Sequence, residues 1–400
     1  MANETKRVPE LRFSQFDKEW KKTTIADIGE FYYGRSAPKW SITDDATIPC
    51  VRYGELYTKH KGTVKEIYSY TNIDRNKLRF SKGGEILIPR VGEDPMDFAK
   101  CSYLPFSGVA IGEMISVYNT DQNPVFITAY FNSQMKYEFA KRVEGASVSN
   151  LYYSYLKDIN LRIPTIEEQQ KIGDFFSKLD RQIELEEQKL EKLKEQKKGY
   201  MQKIFSQELR FKDKNGNDYP DWKSSKIENQ LKERNERSGE GQMLSVTINS
   251  GIVKFNELDR KDNSSKDKSN YKVVKKGDIA YNSMRMWQGA SGKSDYDGIV
   301  SPAYTVIYPT QSTSSAFIEY KFKTYRMIHT FKINSQGLTS DTWNLKYKQL
   351  KNINIDMPVL KEQEKIGSFF KKIDQLINKQ KEKVEILQKH KNGFLQKMFV

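Results

Sequence analysis

Residues 164–205, PTIEEQQKIGDFFSKLDRQIELEEQKLEKLKEQKKGYMQKIF, recur at residues 358–399 as PVLKEQEKIGSFFKKIDQLINKQKEKVEILQKHKNGFLQKMF. The two copies align without a gap at an offset of 194 residues and are identical at 19 of 42 positions. An internal repeat of this length predicts a duplicated architecture, in which both copies serve a similar structural purpose.

Both copies carry apolar residues at the alternating spacing of four and three that is typical of a coiled-coil seam. The seam residues are Ile172, Phe176, Leu179, Ile183, Leu190 and Leu193 in the first copy, and Ile366, Phe370, Ile373, Ile377, Val384 and Leu387 in the second. We therefore expect two long helices that pair with each other. The alternative is an amphipathic helix that packs only on its own domain.

Two polar positions interrupt the seam at the same place in each copy. Glu186 corresponds to Gln380, and Lys197 corresponds to Lys391. Polar residues at seam positions cost stability but tend to fix register and partner number. We expect them to specify a single pairing rather than a higher oligomer.

The stretches 20–160 and 222–355 also resemble each other, strongly at their edges and weakly in the middle. LKDINLRIP at 156–164 matches LKNINIDMP at 350–358. Short Val/Ile/Tyr-rich runs bounded by Gly, Pro, Asn and Asp predict strands and turns, with helical patches at 126–142 and 315–331. Each stretch is predicted to be a mixed α+β domain, and the divergent middles indicate different contacts.

The repeat is split across the two ends of the chain. The first helix continues into SQELRF at 206–211, whereas the second ends at Val400 and its continuation, PELRF, stands at 9–13. We expect the N-terminal arm to dock beside the end of the second helix.

The predicted fold is α+β, with two mixed domains joined by two long antiparallel coiled-coil helices in a pseudo-twofold, circular arrangement. The predicted segments are an arm (1–19), a first domain (20–160), a first helix region (161–211), a second domain (212–355) and a second helix region (356–400).

Composition favours a polyanionic partner. Lys and Arg number 67 against 52 Asp and Glu, for a formal net charge of +15, and such a balance favours nucleic acid first. We find no apolar run near 18 residues and no signal peptide in MANETKRVPELRF, so no membrane association is expected. Two cysteines fit a reducing cytoplasm, and with three histidines they make a dedicated zinc site improbable.

The search for catalytic motifs is largely empty. GASGKS at 289–294 resembles a phosphate loop, but the required first glycine is replaced by Trp287. No dinucleotide fingerprint, zinc-protease motif or distinctive nuclease cluster stands out. The Asn/Asp-Pro-Pro-aromatic motif of methyltransferases that act on amino groups is also absent from the sequence.

Aromatic, basic and amide side chains are interleaved in Gly-bounded loops at corresponding places in both domains. Arginine can read guanine edges, asparagine and glutamine can read adenine, and lysine holds phosphates, although a structural loop is about as good an explanation for any single residue. The candidates in the first domain are Tyr32, Tyr33, Arg35, Arg52, Arg90, Asn150, Tyr152 and Tyr153, and those in the second are Asn282, Ser283, Arg285, Trp287, Gln288, Lys293, Thr342 and Trp343.

The helices open with EQQKIG at 168–173 and EQEKIG at 362–367. With the duplicated frame and the circular split, these motifs make the chain resemble the specificity subunit of type I restriction–modification enzymes over essentially its whole length.

The resemblance implies that each domain reads one half of a bipartite double-stranded DNA target and that the helices set the gap between the halves. It implies that the chain is not itself an enzyme and binds no cofactor. Two modification subunits, which methylate adenine with S-adenosylmethionine, would bind the chain. Restriction subunits, which use ATP and Mg²⁺, would join them.

Three alternatives stay open from the residues alone. The first is a nuclease or methyltransferase fused to helices, which assays of the purified chain would reveal. The second is a coiled-coil scaffold without sequence preference, which competition with random DNA would reveal. An RNA-binding protein is compatible with the charge, although no recognisable RNA-binding motif is present.

Overall fold

The computed structural model describes residues 7–35, 37–248, 250–259, 261, 267–339 and 342–400. The chain divides into two compact units. Unit 1 comprises the described residues up to Glu187 together with Glu382–Val400, and unit 2 comprises Gln188–Lys381. The segment boundaries given above stay predictions.

Unit 1 mixes short strands with helices. Its strands are β1 (Lys21–Thr24), β2 (Gly29–Tyr33), β3 (Ile48–Val51), β4 (Ser69–Thr71), β5 (Phe80–Lys82), β6 (Glu85–Pro89), β7 (Val91–Gly92), β8 (Ser102–Leu104), β9 (Ser107–Ile111), β10 (Ile115–Thr120), β11 (Ser149–Asn150) and β12 (Asn160–Ile163). Its helices are α1 (Tyr53–Thr58), α2 (Pro124–Gln134), α3 (Lys136–Ala140) and the first part of α4 (Ile166–Phe205).

Unit 2 has a similar mixture. Its strands are β13 (Lys223–Lys226), β14 (Leu231–Glu233), β15 (Leu244–Thr247), β16 (Gly251–Lys254), β17 (Lys272–Val274), β18 (Ile279–Asn282), β19 (Ser291–Lys293), β20 (Gly298–Val300), β21 (Tyr304–Pro309) and β22 (Asn354–Met357). Its helices are the rest of α4, α5 (Ile227–Gln230), α6 (Ser315–Lys321), α7 (Tyr325–Asn334), α8 (Tyr347–Leu350) and α9 (Leu360–Lys397), whose last part belongs to unit 1.

Equivalent sheets form the frame of each unit. The order β2-β10-β6-β8 in unit 1 corresponds to β14-β21-β18-β19 in unit 2, and β1-β12 corresponds to β13-β22. Strand β6, EILIP, is buried along its whole length, as a continuous apolar run in a central strand predicts. Unit 1 adds the sheet β4-β3-β9-β5, whereas unit 2 has the pairs β15-β16 and β17-β20. The two units therefore share the four-stranded sheet and the β1-β12 type of pair, and they differ in the strands that are added to this frame.

The long helices lie antiparallel within each unit. In unit 1, Phe175 packs against Phe394 and Asp180 pairs with Lys391. In unit 2, Lys197 pairs with Asp374, and Tyr200 packs edge-on against Phe369 with ring centroids 5.2 Å apart. In both cases the partner number falls as the α4 number rises, which is the pattern of an antiparallel pair.

Three of the four polar interruptions of the seam, Glu186, Lys197 and Lys391, have ionic partners on the facing helix. Lys197 Nζ lies 2.6 Å from Asp374 Oδ1, and Lys391 makes the equivalent pair with Asp180. Lys383 Nζ donates to Glu186 Oε1 at 2.9 Å. These pairs hold only when the helices keep one register, which explains why the seam tolerates the charges.

The apolar seam is buried or half-buried at every predicted position. Ile172, Phe176, Ile366 and Phe370 are at most 2% exposed because the mixed domains also cover them. The predicted fold class is confirmed.

The circular split of the repeat has a direct structural counterpart. In unit 2 the chain runs on from α4, and the Leu209 N–H donates to the Lys203 carbonyl at 3.0 Å. In unit 1 the Leu11 N–H of the arm donates to the Lys397 carbonyl at 2.8 Å. The arm thus completes the end of α9 as the covalent continuation completes the end of α4, satisfying a carbonyl that the helix leaves unpaired.

The arm and its counterpart are fixed by equivalent buried ion pairs. Arg12 lies 2.7 Å from Glu168, whose side chain is 1% exposed. Arg210 lies 2.8 Å from Glu362, whose side chain is fully buried. Both guanidinium groups use two nitrogens on one carboxylate, a geometry stronger than a single contact.

The rest of the EQxKIG motif joins each long helix to its domain. Gln169 Oε1 accepts from the Asn123 N–H at 3.1 Å, just before α2. Gln363 Oε1 accepts from the Ser314 N–H at 2.8 Å, just before α6. At Gly367, an added Cβ would lie 2.8 Å from the Ala316 side chain, so only glycine allows this approach. The motif is therefore explained by packing.

Candidate nucleic-acid interface

In unit 1 the two predicted contact segments lie side by side. The first follows β6 and the second includes β11. The Leu151 N–H donates to the Arg90 carbonyl at 2.8 Å, and β7 pairs with β11, placing Asn150 opposite Val91. One surface therefore carries both segments.

An aromatic and basic cluster occupies this surface. The Arg90 guanidinium lies 4.8 Å from the centre of the Tyr33 ring, and the Tyr33 ring lies 4.5 Å from that of Tyr153. The Lys157 ammonium lies 5.7 Å from the Tyr153 ring. Burial raises the pKa of Tyr33, although Arg90 opposes the shift, so the phenol stays neutral at neutral pH. The cluster offers stacking surfaces and cations, the two features with which proteins hold bases and phosphates.

Tyr32 is directed differently from Tyr33 because successive strand residues face opposite sides of a sheet. It packs against an apolar cluster of unit 1, and burial raises its pKa to about 12. The Arg79 guanidinium covers the Tyr32 ring at 5.2 Å and donates to the Tyr33 carbonyl. Arg35 is exposed, and its N–H donates to the Ile111 carbonyl.

The remaining candidates of unit 1 have local roles. Arg52 precedes α1, and its backbone N–H donates to Glu55. Tyr152 packs edge-on against Tyr155 with ring centroids 6.0 Å apart. Arg52, Asn150 and Tyr152 are half-buried.

In unit 2 the loop after β18 is closed by its own backbone. The Asn282 N–H donates to the Ala290 carbonyl at 2.9 Å, and Asn282 Oδ1 accepts from the Met284 N–H. Gly289, at φ +83°, ends the short helical turn that carries Trp287. Arg285 and Gln288 are exposed on this closed loop.

The two predicted segments of unit 2 also meet. The Leu345 N–H donates to the Ser283 carbonyl at 2.8 Å, which is the counterpart of the Leu151–Arg90 bond. Trp287 and Trp343 pack edge-on with ring centroids 5.2 Å apart. The exposed Lys332 places its ammonium 5.5 Å from the Trp343 ring.

Three other candidates in unit 2 are engaged within the protein. Ser283 is 6% exposed, and its hydroxyl donates to the Ala303 carbonyl. Lys293 is paired with Asp295, and only 15% of its side chain is exposed. The Thr342 hydroxyl donates to the Thr339 carbonyl. The structure therefore does not present Ser283 or Lys293 as free surface groups.

Sequence reasoning missed Lys332 and Lys157 as members of these clusters, and it missed Arg79 as the cation that covers Tyr32. Lys332 lies on α7, where a lysine ordinarily indicates a solvated helix face. Arg79 and Lys157 lie outside the Gly-bounded loops in which aromatic and basic residues alternate. Their proximity to aromatic rings depends on tertiary packing, and no local sequence signal marks it.

The described residues also bear on metal binding, the GASGKS stretch and membrane spans. It contains no group of three His, Cys, Asp or Glu side chains arranged to hold a metal ion. Gly292 of the GASGKS stretch lies in β19, against the backbone of Gly251, and does not form a phosphate loop. Where helices are described, none is long and apolar enough to span a membrane.

The family model for the type I restriction modification DNA specificity domain matches the chain twice, at residues 17–195 and 201–388. The chain belongs to this family. The recognition made from the EQxKIG motifs and the circular split is therefore confirmed. Each match contains one pair of the predicted contact segments, so the two surfaces described above lie in two copies of this domain.

Solved structures agree with this assignment at the level of fold. The S subunit of a type I restriction-modification system from M. genitalium is 15% identical, with a TM-score of 0.61 over 98% of this chain and 99% of that chain. A chain from a structural study of complex assembly and conformational transition in a type I restriction-modification system is also 15% identical. Its TM-score is 0.51, over 95% of this chain and 97% of that one.

Proposed function

We propose that this chain is the sequence-reading subunit of a type I restriction–modification complex and recognises a bipartite target in double-stranded DNA. Each unit would read one half of the target. The observation that carries the proposal is the repeated closing bond, Leu151 to Arg90 and Leu345 to Ser283, which joins two loops at the same place in both units. The side chains displayed on the two joined loops differ, which is what two readers with different specificities require.

Charge and packing support DNA as the ligand. The formal charge is +15, and each surface combines cations with aromatic rings. The Arg90 guanidinium is stacked on Tyr33, and in the described part of the chain its side chain makes no ion pair. A guanidinium that is held in place but unneutralised suits a base edge or a phosphate.

The helix pair would set the length of the unspecified gap between the half-sites. One heptad lengthens a helix by about 10 Å, which corresponds to about three base pairs of duplex DNA. The ion pairs Lys197–Asp374 and Lys391–Asp180 support this assignment because they fix the register of the helix pair.

The chain would direct partners rather than catalyse. Two modification subunits would methylate adenine, and restriction subunits would cleave. S-adenosylmethionine, ATP and Mg²⁺ would be bound by those subunits, and the complex would act in the cytoplasm. Membership of the family supports these assignments.

Arg285→Ala tests the proposed surface of unit 2. We expect the variant to weaken binding to the specific duplex by about 1–3 kcal/mol, because Arg285 is exposed on the closed loop and can contact a base directly. The measurement is a gel-shift titration at fixed salt, with the assembled complex and the duplex identified by methylome sequencing. Lys232→Ala, an exposed substitution on β14, is the matched control. Equal affinities for wild type and Arg285→Ala would remove this loop from the interface.

A further inference from the structure

One position outside the reading loops contacts loop backbone in both units. In unit 1 this position is Asn132. It lies nine residues after Asn123, the residue whose backbone N–H donates to Gln169. In unit 2 it is Lys323. It lies nine residues after Ser314, the residue whose backbone N–H donates to Gln363. The preceding residue in each unit is a fully buried phenylalanine. The frame therefore places these two residues equivalently.

The side-chain amide of Asn132 bonds both backbone polar groups of a single residue, Cys101. Its Oδ1 accepts from the Cys101 N–H at 2.7 Å, and its Nδ2 donates to the Cys101 carbonyl at 2.9 Å. Cys101 directly precedes β8, which pairs with β6, the strand that leads to Arg90. Asn132 thus fixes the return path of the segment that begins at Arg90.

Lys323 spans two segments of unit 2. Its Nζ donates to the Gly289 carbonyl at 2.7 Å and to the Ile248 carbonyl at 2.8 Å. Gly289 ends the turn that carries Trp287, and Ile248 follows β15 at the tip of the β15-β16 pair. The ammonium therefore ties the reading loop to the neighbouring hairpin.

The burial of Lys323 agrees with a role inside the protein. Burial lowers its pKa to about 8, with Glu319 opposing the shift and Lys197 adding to it. Protonated or neutral, the amine carries enough hydrogens for both carbonyl bonds. Because the Lys323 amine donates to two carbonyls, it is not available to bind a phosphate. Its role is to hold the loop in place.

We infer that Asn132 and Lys323 are equivalent positioning residues, each setting the geometry of the reading loop in its own unit and so the stringency with which that unit reads its half-site. The inference rests on the proposed function and deepens it. Base discrimination depends on donors and acceptors held within about 0.5 Å of their working positions. Contacts to phosphates tolerate larger displacements, so discrimination is expected to fall while general DNA affinity is kept.

Methylome sequencing of cells that express the chain with its modification subunits tests this inference. In Lys323→Met we expect discrimination against single-base changes to fall about ten-fold in one half-site, the size of one lost base contact. In Asn132→Ala we expect the same loss in the other half-site. Lys323→Arg, which keeps donors at this place, should restore stringency, and the exposed Lys232→Met should leave the motif unchanged.

A second readout follows the loop without DNA. Hydrogen exchange at the Gly289 and Ala290 amides should be faster in Lys323→Met than in wild type, because both amides belong to the closed loop that Lys323 anchors. If Lys323→Met fails to accumulate, Asn132→Ala and Lys323→Gln carry the same test.

The outcomes separate the two ideas. A wild-type chain that yields no bipartite motif contradicts the proposed function. A bipartite wild-type motif that Lys323→Met and Asn132→Ala leave equally stringent overturns only this inference. Relaxation of both half-sites by either variant also overturns it, because a positioning residue acts within its own unit.

Discussion

Units 1 and 2 are alike where they hold the frame and different where they display side chains. The bond that closes the two loops measures 2.8 Å in both units, and the Arg–Glu pairs differ by only 0.1 Å, at 2.7 and 2.8 Å. The aromatic and basic clusters share no such identity, since Arg90, Tyr33 and Tyr153 stand in one unit and Trp287, Trp343 and Lys332 in the other. A frame held by backbone bonds can carry different side chains, and this property suits a two-headed reader.

The units also differ in how the mixed domain contacts its long helices. In unit 1, Lys65 reaches α4 and pairs with Glu184 at 2.7 Å. In unit 2, the Tyr320 hydroxyl donates to Asp374 at 2.8 Å, and so joins the Lys197–Asp374 pair. The equivalent helices are therefore attached to their mixed domains by different interactions, an ion pair in unit 1 and a tyrosine hydrogen bond in unit 2.

The largest expected effect comes from breaking the buried ion pairs. Glu168→Ala and Glu362→Ala should each destabilise their own unit by about 3 kcal/mol, because each removes the buried carboxylate from a partly buried guanidinium. Arg210 would keep only the exposed Asp221, at 3.5 Å. Only Glu168→Ala should also release a chain segment, since Arg12 belongs to an arm that is not continuous with α9. Urea denaturation measures the first effect, and hydrogen exchange at the Leu11 amide measures the second.

The control is the comparison of the two amides. In Glu362→Ala the Leu209 amide should stay protected by the short covalent connection to α4. Equal loss of protection at Leu11 and Leu209 would contradict the equivalence drawn between the arm and the continuous segment.

Much of the frame could be predicted from sequence because it follows from period and repetition. The seam from Ile172 onward and the ELRF echo were sufficient for the antiparallel pair and the docked arm. Ser283 and Lys293 illustrate the limit, since the same residue types occur in exposed loops and as internally bonded groups. Asn132 and Lys323 could not be recognised as equivalent because their side chains differ and their shared role depends on backbone contacts distant in sequence.

A smaller difference is expected between the two helix ion pairs. Asp374→Asn should destabilise unit 2 by about 1 kcal/mol more than Asp180→Asn destabilises unit 1, because Asp374 also accepts the Tyr320 hydrogen bond. Urea denaturation of the two variants measures the difference. Tyr320→Phe should abolish it, and a difference that persists in that background would show that Tyr320 is not its source.

The smallest expected effect is a pH dependence confined to unit 1. His60 is 6% exposed, and burial lowers its pKa from 6.5, with Glu55 opposing the shift. As pH falls below about 6.5 the unfolded chain gains a proton that folded His60 resists, so the stability that is present above that pH decreases. Urea denaturation between pH 7.5 and 5.5 should show this loss in wild type. His60→Gln should reduce the slope, whereas the exposed His329→Gln should not; equal slopes in wild type and His60→Gln would exclude His60 as the cause.

The central claim is that two independent readers share one frame, and replacement of one reader tests it most directly. Residues 20–160 are exchanged for the corresponding domain of a relative with a different target, and the methylome is sequenced in cells that supply the modification subunits. The account predicts that one half-site changes while the other half-site and the gap are kept. A simultaneous change of both half-sites would contradict it.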